Sequence, residues 1–265
     1  MDLKTGNPAS SLKTKIKRAV LRFVAVFFGV ALVPRLACAA ADDLQGAADA
    51  IATDIEYGDQ LRRLCAEAIP DEKRGLAAVY FHWMDKNRAE ILGMRAWRLS
   101  QPKQLNFDDA ARARASAQLV AIQRVNPDQR PSACLAAFRG LGEGSKDFIR
   151  KAPAQSALLT DFLKRHPLTE QQAREYDNPL GCAKRVVELG GDLDRARPFC
   201  QCNWQAQSES WSPSEWHDFE AGAAKGRSAK EIAELPQVQR VASKLSACAT
   251  KYPVISRSTL QAPGH

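Results

Sequence analysis

Pro198-Phe199-Cys200-Gln201-Cys202-Asn203-Trp204 is the stretch that decides how this chain is held together, because it places two cysteines one residue apart. Such a pair can be a redox disulfide, two metal ligands, or one half each of two structural disulfides. On a regular helix, residues two apart point about 200° away from each other. If Pro198 begins a helix, Cys200 and Cys202 therefore face different partners.

The other cysteines supply those partners. After residue 39 the chain has an even set of six: Cys65, Cys134, Cys182, Cys200, Cys202 and Cys248. An even number in an exported chain is typical of a disulfide framework. The helix geometry favours three structural bonds, namely Cys65–Cys134, Cys182–Cys200 and Cys202–Cys248.

The N-terminus has the layout of a secretory signal peptide. Basic residues from Lys13 to Arg18 precede an apolar run over 23–33, and Ala37-Cys38-Ala39 supplies the small residues of a cleavage site. A retained membrane anchor is the alternative, but a span needs roughly 20 apolar residues, and Pro34 follows the run at once. We predict a signal peptide over 1–39, a periplasmic or secreted protein, and no stable membrane anchor after cleavage.

Removing the leader changes what the charge of the chain implies. The whole sequence carries +8, but residues 1–39 hold seven basic residues against one aspartate, so the remainder carries +2. Basic and acidic residues are interspersed in this remainder, and no basic block is left that is typical of a phosphate-binding face. We therefore expect no nucleic-acid partner.

The chain after residue 39 has the pattern of helices throughout. It has no alternating run of β-branched residues and no Asn-Gly or Asp-Gly hairpin turn. Apolar residues recur three and four apart, as in Leu44, Ala48, Ile51 and Ile55. Capping boxes at Thr169–Gln172, Ser212–Glu215 and Ser228–Glu231 mark helix starts. We predict an all-α, disulfide-stabilised fold.

Two parts of the sequence resemble each other in the same order. Tyr57-Gly58-Asp59-Gln60-Leu61 and Tyr176-Asp177-Asn178-Pro179-Leu180 each stand shortly before a cysteine, and further on Gln-Arg-Val stands shortly before Ser-Ala-Cys in both. The similarity predicts a tandem duplication of a small helical unit. The expected organisation is unit 1 over 40–142, a linker with a short helix over 143–168, unit 2 over 169–254 and a flexible tail over 255–265.

The repeat leaves a second disulfide pairing open. If each unit closes with its own outer cysteines, Cys182 bonds Cys248, and Cys200 and Cys202 remain as a local pair. A bond between them needs a non-helical turn and is easily reduced, which is the behaviour of a thiol–disulfide redox site. A redox or metal-binding function of Cys200 and Cys202 is therefore the alternative to a structural one.

Two histidines are further candidates for chemistry. His82 stands beside Trp83 and His217 beside Trp216, settings that could orient an imidazole for acid–base work or for copper or zinc binding with the cysteine pair. A histidine among core aromatics is more often simply packed. The sequence has no phosphate loop, dinucleotide motif, haem motif or Gly-x-Ser-x-Gly elbow. We expect no cofactor and no enzymatic activity.

These observations predict an exported, non-enzymatic interaction protein. A rigid helical surface would bind another protein or a cell-envelope macromolecule, and an inhibitor or an immunity-type protein has this profile. The alternative function is a thiol–disulfide or metal-binding protein that uses Cys200 and Cys202.

Overall fold

The computed structural model describes residues 43–101 and 107–254. Within these ranges the chain forms twelve α-helices and two 3₁₀ turns, and no strand. The predicted all-α, disulfide-stabilised fold is confirmed. The predicted signal peptide over 1–39 and the predicted flexible tail over 255–265 lie outside the described residues.

The helices follow one another with short connections. The first, α1, covers residues 43–68. The others are α2 (Lys73–Lys86), α3 (Arg88–Ser100), α4 (Phe107–Gln123), α5 (Arg130–Gly142), α6 (Phe148–Lys151), α7 (Pro153–Arg165), α8 (Glu170–Glu188), α9 (Leu193–Ser208), α10 (Pro213–Ala224), α11 (Ala229–Ala233) and α12 (Pro236–Lys251). The 3₁₀ turns Pro70–Glu72 and Pro127–Gln129 precede α2 and α5.

Side chains determine several helix starts. At α8 the Gln172 backbone N–H donates to the Thr169 hydroxyl, and the Gln172 side chain accepts from the Thr169 backbone N–H. Ser228 and Glu231 form the same capping box at α11. These bonds satisfy N–H groups that the first turn of a helix leaves unpaired. The predicted capping boxes at both helices are confirmed.

Helix α9 begins five residues earlier than the sequence interpretation placed it. The Asp192 carboxylate accepts hydrogen bonds from the backbone N–H groups of Asp194 and Arg195, at 2.7 and 3.3 Å. This N-cap starts the helix, and Pro198 lies inside it. The expectation that Pro198 begins the helix was wrong, because an aspartate cap is a strong start signal.

One large hydrophobic core, the main core, runs through α1 to α9. Its fully buried side chains include Ile51 and Leu61 on α1, and Trp83 on α2 is 1 % exposed. Cys65 and Cys134 lie within it, both 0 % exposed. Helix α8 packs along α9, and α2 packs against both α5 and α8. The main core therefore includes residues from both predicted units.

The segment expected as a linker, 143–168, contains α6 and α7 and contributes to the main core. Leu159 on α7 is fully buried, and α7 packs along α3. At Gly93 on α3, an added Cβ would lie 2.3 Å from the Leu159 carbonyl oxygen. The missing side chain at Gly93 thus allows the two helices to approach each other closely.

A second, smaller hydrophobic cluster lies where α9, α10 and α12 meet. Trp204, Trp211, Trp216 and Val241 are its buried residues, and we call it the tryptophan cluster. The ring centroids of Trp211 and Trp216 are 4.5 Å apart, and those of Trp204 and Trp216 are 5.3 Å apart. Aromatic pairs at these distances add to the stabilisation from burial. Helix α9 joins the two regions, because its Cys200 belongs to the main core.

The two predicted units contain equal numbers of described helices. Helices α1 to α5 fall within 40–142, and α8 to α12 fall within 169–254. The tandem duplication itself rests on sequence similarity and stays a prediction. None of the helices in the described ranges is long and apolar enough to cross a membrane.

Candidate functional site

Within residues 43–101 and 107–254, three disulfides join pairs of helices. They are Cys65–Cys134 between α1 and α5, Cys182–Cys200 between α8 and α9, and Cys202–Cys248 between α9 and α12. Helix α9 is therefore bonded on two sides, as the opposite directions of residues two apart on a helix require. Of the two pairings considered from the sequence, the structure has the one that gives Cys200 and Cys202 separate partners.

The alternative redox pair would need a bond between Cys200 and Cys202, and each sulfur is bonded elsewhere. Cys200 is also 1 % exposed, whereas a reactive cysteine must be accessible. In the described ranges, no group of three or more His, Cys, Asp or Glu side chains is arranged to hold a metal ion. In this structure the cysteines connect helices.

His82 and His217 are exposed on α2 and α10. Their neighbours Trp83 and Trp216 are 1 % and 2 % exposed, so the tryptophans are buried in the two hydrophobic regions while the imidazoles lie at the surface. Neither imidazole has a hydrogen-bond partner among the described residues. The structure places the two histidines on separate helices.

A cleft of 460 Å³ opens between α1, α2, α3, α8 and α9. Its apolar lining includes Ile55, Met84, Pro179, Leu180 and Pro198. Its polar lining includes Asp59, Arg95, Glu175, Tyr176 and Arg197. An apolar wall with a few converging polar groups is typical of a binding site. We take this cleft as the candidate functional site.

A network of ion pairs around the buried Asp59 connects α1 and α9 at one wall of the cleft. Asp59 on α1 is 6 % exposed, and its carboxylate lies 2.7 Å from the Arg197 guanidinium of α9. Arg63 and Arg62 approach the same carboxylate at 2.8 and 3.3 Å. Burial acts to raise the pKa of Asp59, but Arg197 and the other two guanidinium groups outweigh it and hold the pKa below its usual value. Asp59 is therefore ionised at neutral pH and holds Arg197 at the cleft.

Two tyrosines contribute rings and hydroxyls to the cleft. Tyr80 is 2 % exposed, burial raises its pKa to about 12, and Arg197 lies over its ring at 5.7 Å. Burial also raises the pKa of Tyr176, and Arg95 lies over that ring at 5.6 Å. Both hydroxyls stay protonated at neutral pH, so each can donate a hydrogen bond.

Two buried donor atoms of the cleft have no hydrogen-bond partner within the described ranges. They are the Tyr176 hydroxyl and the Arg95 Nε. The Arg95 Nη2 atom lies 3.6 Å from the Glu175 carboxylate, which leaves its Nε unpaired. A buried donor without an acceptor costs about 1–3 kcal/mol. A ligand that supplies acceptor atoms to this apolar wall would remove that cost.

The sequence interpretation did not identify these cleft residues as a site. Asp59 and Tyr176 belong to the two matched stretches of the predicted repeat, so the similarity marked their positions without indicating a role. Arg95 and Arg197 belong to no motif, and only tertiary packing brings them to the cleft. His82 and His217, which the sequence did single out, do not line it.

Comparison with known proteins finds no family model, no curated protein and no solved structure that matches this chain. The residues that line the cleft are therefore the basis on which a function can be inferred.

Proposed function

We propose that the protein is an exported, non-enzymatic binding protein that holds a segment of a partner polypeptide in the cleft. The observation that carries the proposal is the pair of unpartnered donors, the Tyr176 hydroxyl and the Arg95 Nε, set in an apolar wall. A polypeptide offers a carbonyl acceptor at every residue. The proposal includes an inhibitor or an immunity-type protein as the kind of protein that this chain is.

The apolar lining supports a polypeptide as the partner. Ile55, Met84 and Leu180 offer surface on which apolar side chains of a partner can pack. Methionine is flexible and adapts to different shapes, and arginine and tyrosine are enriched among the residues that contribute most to protein interfaces. The cleft combines these residue types.

The charges of the cleft favour an uncharged segment over a polyanion. Arg197 is paired with Asp59, and Arg95 lies beside Glu175. Nucleic acids need a surplus of cationic groups, because their affinity depends on neutralising phosphates. These two ion pairs leave no such surplus in the cleft.

The disulfides support binding by a preformed site. The Cys182–Cys200 bond ties α8 to α9, and both helices line the cleft. A site that is already ordered loses less conformational entropy when a partner binds. Disulfides also fit the oxidising compartment to which a signal peptide over 1–39 would direct the chain.

Photo-crosslinking in the cells that make the protein tests the proposal. A photoreactive amino acid replaces Gln201, which is exposed and lines the cleft. The matched control replaces Gln118, an exposed glutamine on α4 outside the cleft. We expect irradiation to give a discrete adduct with another polypeptide from position 201 and none from position 118.

A second variant connects the adduct to the chemistry of the cleft. Tyr176→Phe removes the unpartnered hydroxyl and keeps the ring, so we expect a lower yield of the adduct with no change in folding. The absence of any adduct at position 201, or the same adduct from both positions, would contradict the proposal.

A further inference from the structure

Arg62 on α1 is a fully buried charged residue, with a side chain that is 0 % exposed. Its Nη2 atom donates to Asp59 at 3.3 Å and also to Asp194 on α9. Its Nε and Nη1 atoms have no hydrogen-bond partner among the described residues. Both carboxylates are shared, because Asp59 also pairs with Arg63 and Arg197 and Asp194 also pairs with Arg63. Two of the three guanidinium nitrogens of Arg62 are left without acceptors among the described residues, which is unfavourable until another acceptor is supplied.

Arg62 forms part of the wall of a second pocket, which has a volume of 480 Å³. Lys73 and Arg74 at the start of α2 line this pocket together with the loop Gly190-Gly191, which precedes α9. Among the residues that the structure describes, none lines both this pocket and the cleft. The second pocket is therefore a separate place for a ligand.

Hydrogen-bond donors exceed free acceptors in this pocket. Arg62, Lys73 and Arg74 line it against two carboxylates, Asp71 and Asp192. Asp192 is already engaged, because it accepts from Lys73 and from backbone N–H groups at the start of α9. Arg74 is exposed and has no ion-pair partner in the described part of the chain. The remaining donors of the pocket suit an anion with several acceptor oxygens.

We infer that this pocket binds a phosphate group, carried by a small molecule or by a lipid. A phosphate oxygen accepts from the buried Arg62, while Arg74 at the start of α2 supplies a positive charge that no carboxylate of the described residues pairs. The volume of 480 Å³ lies within the range of about 300–1,000 Å³ that is typical of small-molecule sites. This space exceeds the need of a bare phosphate ion, so a phosphate ester fits. The inference does not depend on the proposed function of the cleft.

Isothermal titration calorimetry with sodium phosphate tests the inference. Ionic strength is held constant with sodium chloride, so that general screening does not contribute to the signal. We expect saturable binding by the unaltered protein and at least tenfold weaker binding by Arg74→Gln. Arg74 is exposed and unpaired, so this variant keeps the fold. The control Arg139→Gln removes an equal charge on α5, from a side chain that is 71 % exposed, and should leave the affinity unchanged.

Vesicles distinguish the two sources of the phosphate group. The fraction of protein that floats with vesicles of phosphatidylglycerol and phosphatidylcholine is compared with the fraction that floats with vesicles of phosphatidylcholine alone. Binding of free phosphate assigns a small molecule. Binding to the anionic vesicles alone, lost in Arg74→Gln and kept in Arg139→Gln, assigns a lipid headgroup. No binding to either probe, or binding that Arg74→Gln weakens no more than Arg139→Gln does, would overturn the inference.

Discussion

The main core and the tryptophan cluster are stabilised in different ways. The main core takes side chains from α1 to α9 and surrounds the fully buried Cys65–Cys134 bond. The tryptophan cluster has four buried residues in the described part of the chain. Helices α10 to α12 pack on the rest of the described chain mainly where α12 meets α9. A small hydrophobic cluster provides little stability without a cross-link. Cys202–Cys248 should therefore matter more to its own region than Cys65–Cys134 does to the main core.

The largest expected effect comes from removing the bond between α9 and α12, with Cys202→Ala and Cys248→Ala together. A bond across a sequence separation of 46 contributes about 4 kcal/mol through the entropy of the unfolded chain. We expect α10 to α12 to open locally and exchange their amide hydrogens faster, while α1 to α3 keep their protection. Hydrogen-exchange mass spectrometry measures both regions in one sample.

The double variant Cys65→Ala and Cys134→Ala is the matched control. Its sequence separation of 69 gives a similar entropic contribution, again about 4 kcal/mol. Because this bond lies in the main core, we expect a lower free energy of unfolding for the whole molecule. Identical exchange patterns in the two double variants would show that the two regions do not differ in this way.

Two glycine substitutions should change the free energy of unfolding in opposite directions, and together they test the packing of the main core. Gly93→Ala places a Cβ 2.3 Å from the Leu159 carbonyl oxygen, which should lower the free energy of unfolding by about 1–3 kcal/mol. In Gly181→Ala on α8, the added Cβ meets no atom of the described residues within 4 Å. This variant should raise the free energy of unfolding by about 0.5–1 kcal/mol, since alanine favours a helix. Urea unfolding measures both. A free energy of unfolding that is unchanged or higher in Gly93→Ala would contradict the close approach assigned to Gly93.

Substitutions of two helix N-cap residues compare the two regions through smaller changes in stability. Thr169→Ala removes the cap of α8, which contributes to the main core, and should lower the global free energy of unfolding by about 1 kcal/mol. Ser228→Ala removes the same type of cap from α11, a helix of five residues. We expect its effect to stay local, as faster amide exchange in α11 with an unchanged global urea midpoint. A lower global midpoint for Ser228→Ala would show that α11 is coupled to the main core.

Mild acid should have the smallest effect. Burial opposes ionisation of Asp59, but Arg197, Arg62 and Arg63 hold its pKa below the ordinary value of 3.8. A lowered pKa means that the ionised group stabilises the fold above the ordinary value, and that this contribution is lost as pH falls through the lower folded-state pKa. From about pH 7 to about pH 5 we therefore expect the Asp59 contribution to stay constant, and below about pH 4 to decline.

Variants that keep tryptophans in only one of the two regions allow fluorescence to follow the acid transition of that region. Trp83 and Trp97 report on the main core, and the other three tryptophans report on α9 to α12. The variant Asp59→Asn removes the titrating group and should flatten the decline of main-core stability below about pH 4. An unchanged acid profile in Asp59→Asn would mean that other carboxylates determine the transition.

Local patterns in the sequence predicted the helices and their capping boxes well. Apolar spacing and short-range hydrogen bonds operate over a few residues, so positions such as Ile51, Thr169 and Ser228 can be interpreted without the rest of the chain. The opposite directions of residues two apart on a helix also favoured the observed partners of Cys200 and Cys202. That argument needed only a helix at those residues, and it holds although α9 starts before Pro198.

The candidate sites could not be predicted in the same way. Arg62 belongs to a helix rich in charged residues, and nothing near it in sequence shows that it is fully buried between α1 and α9. Arg95 and Tyr176 come together only because α3 and α8 line the same cleft. The segment 143–168 was predicted as a linker with a short helix. Its packing on α3 could not be predicted from that segment, because the close approach involves Gly93, which is distant in sequence.

The disulfides also have an order along the chain. After residue 39, each bond joins one cysteine to the next: first to second, third to fourth, and fifth to sixth. If the chain crosses a membrane N-terminus first, each cysteine meets its correct partner as soon as that partner emerges. No early bond has to be exchanged for a later one. This arrangement allows oxidative maturation with an oxidant alone and without a disulfide isomerase.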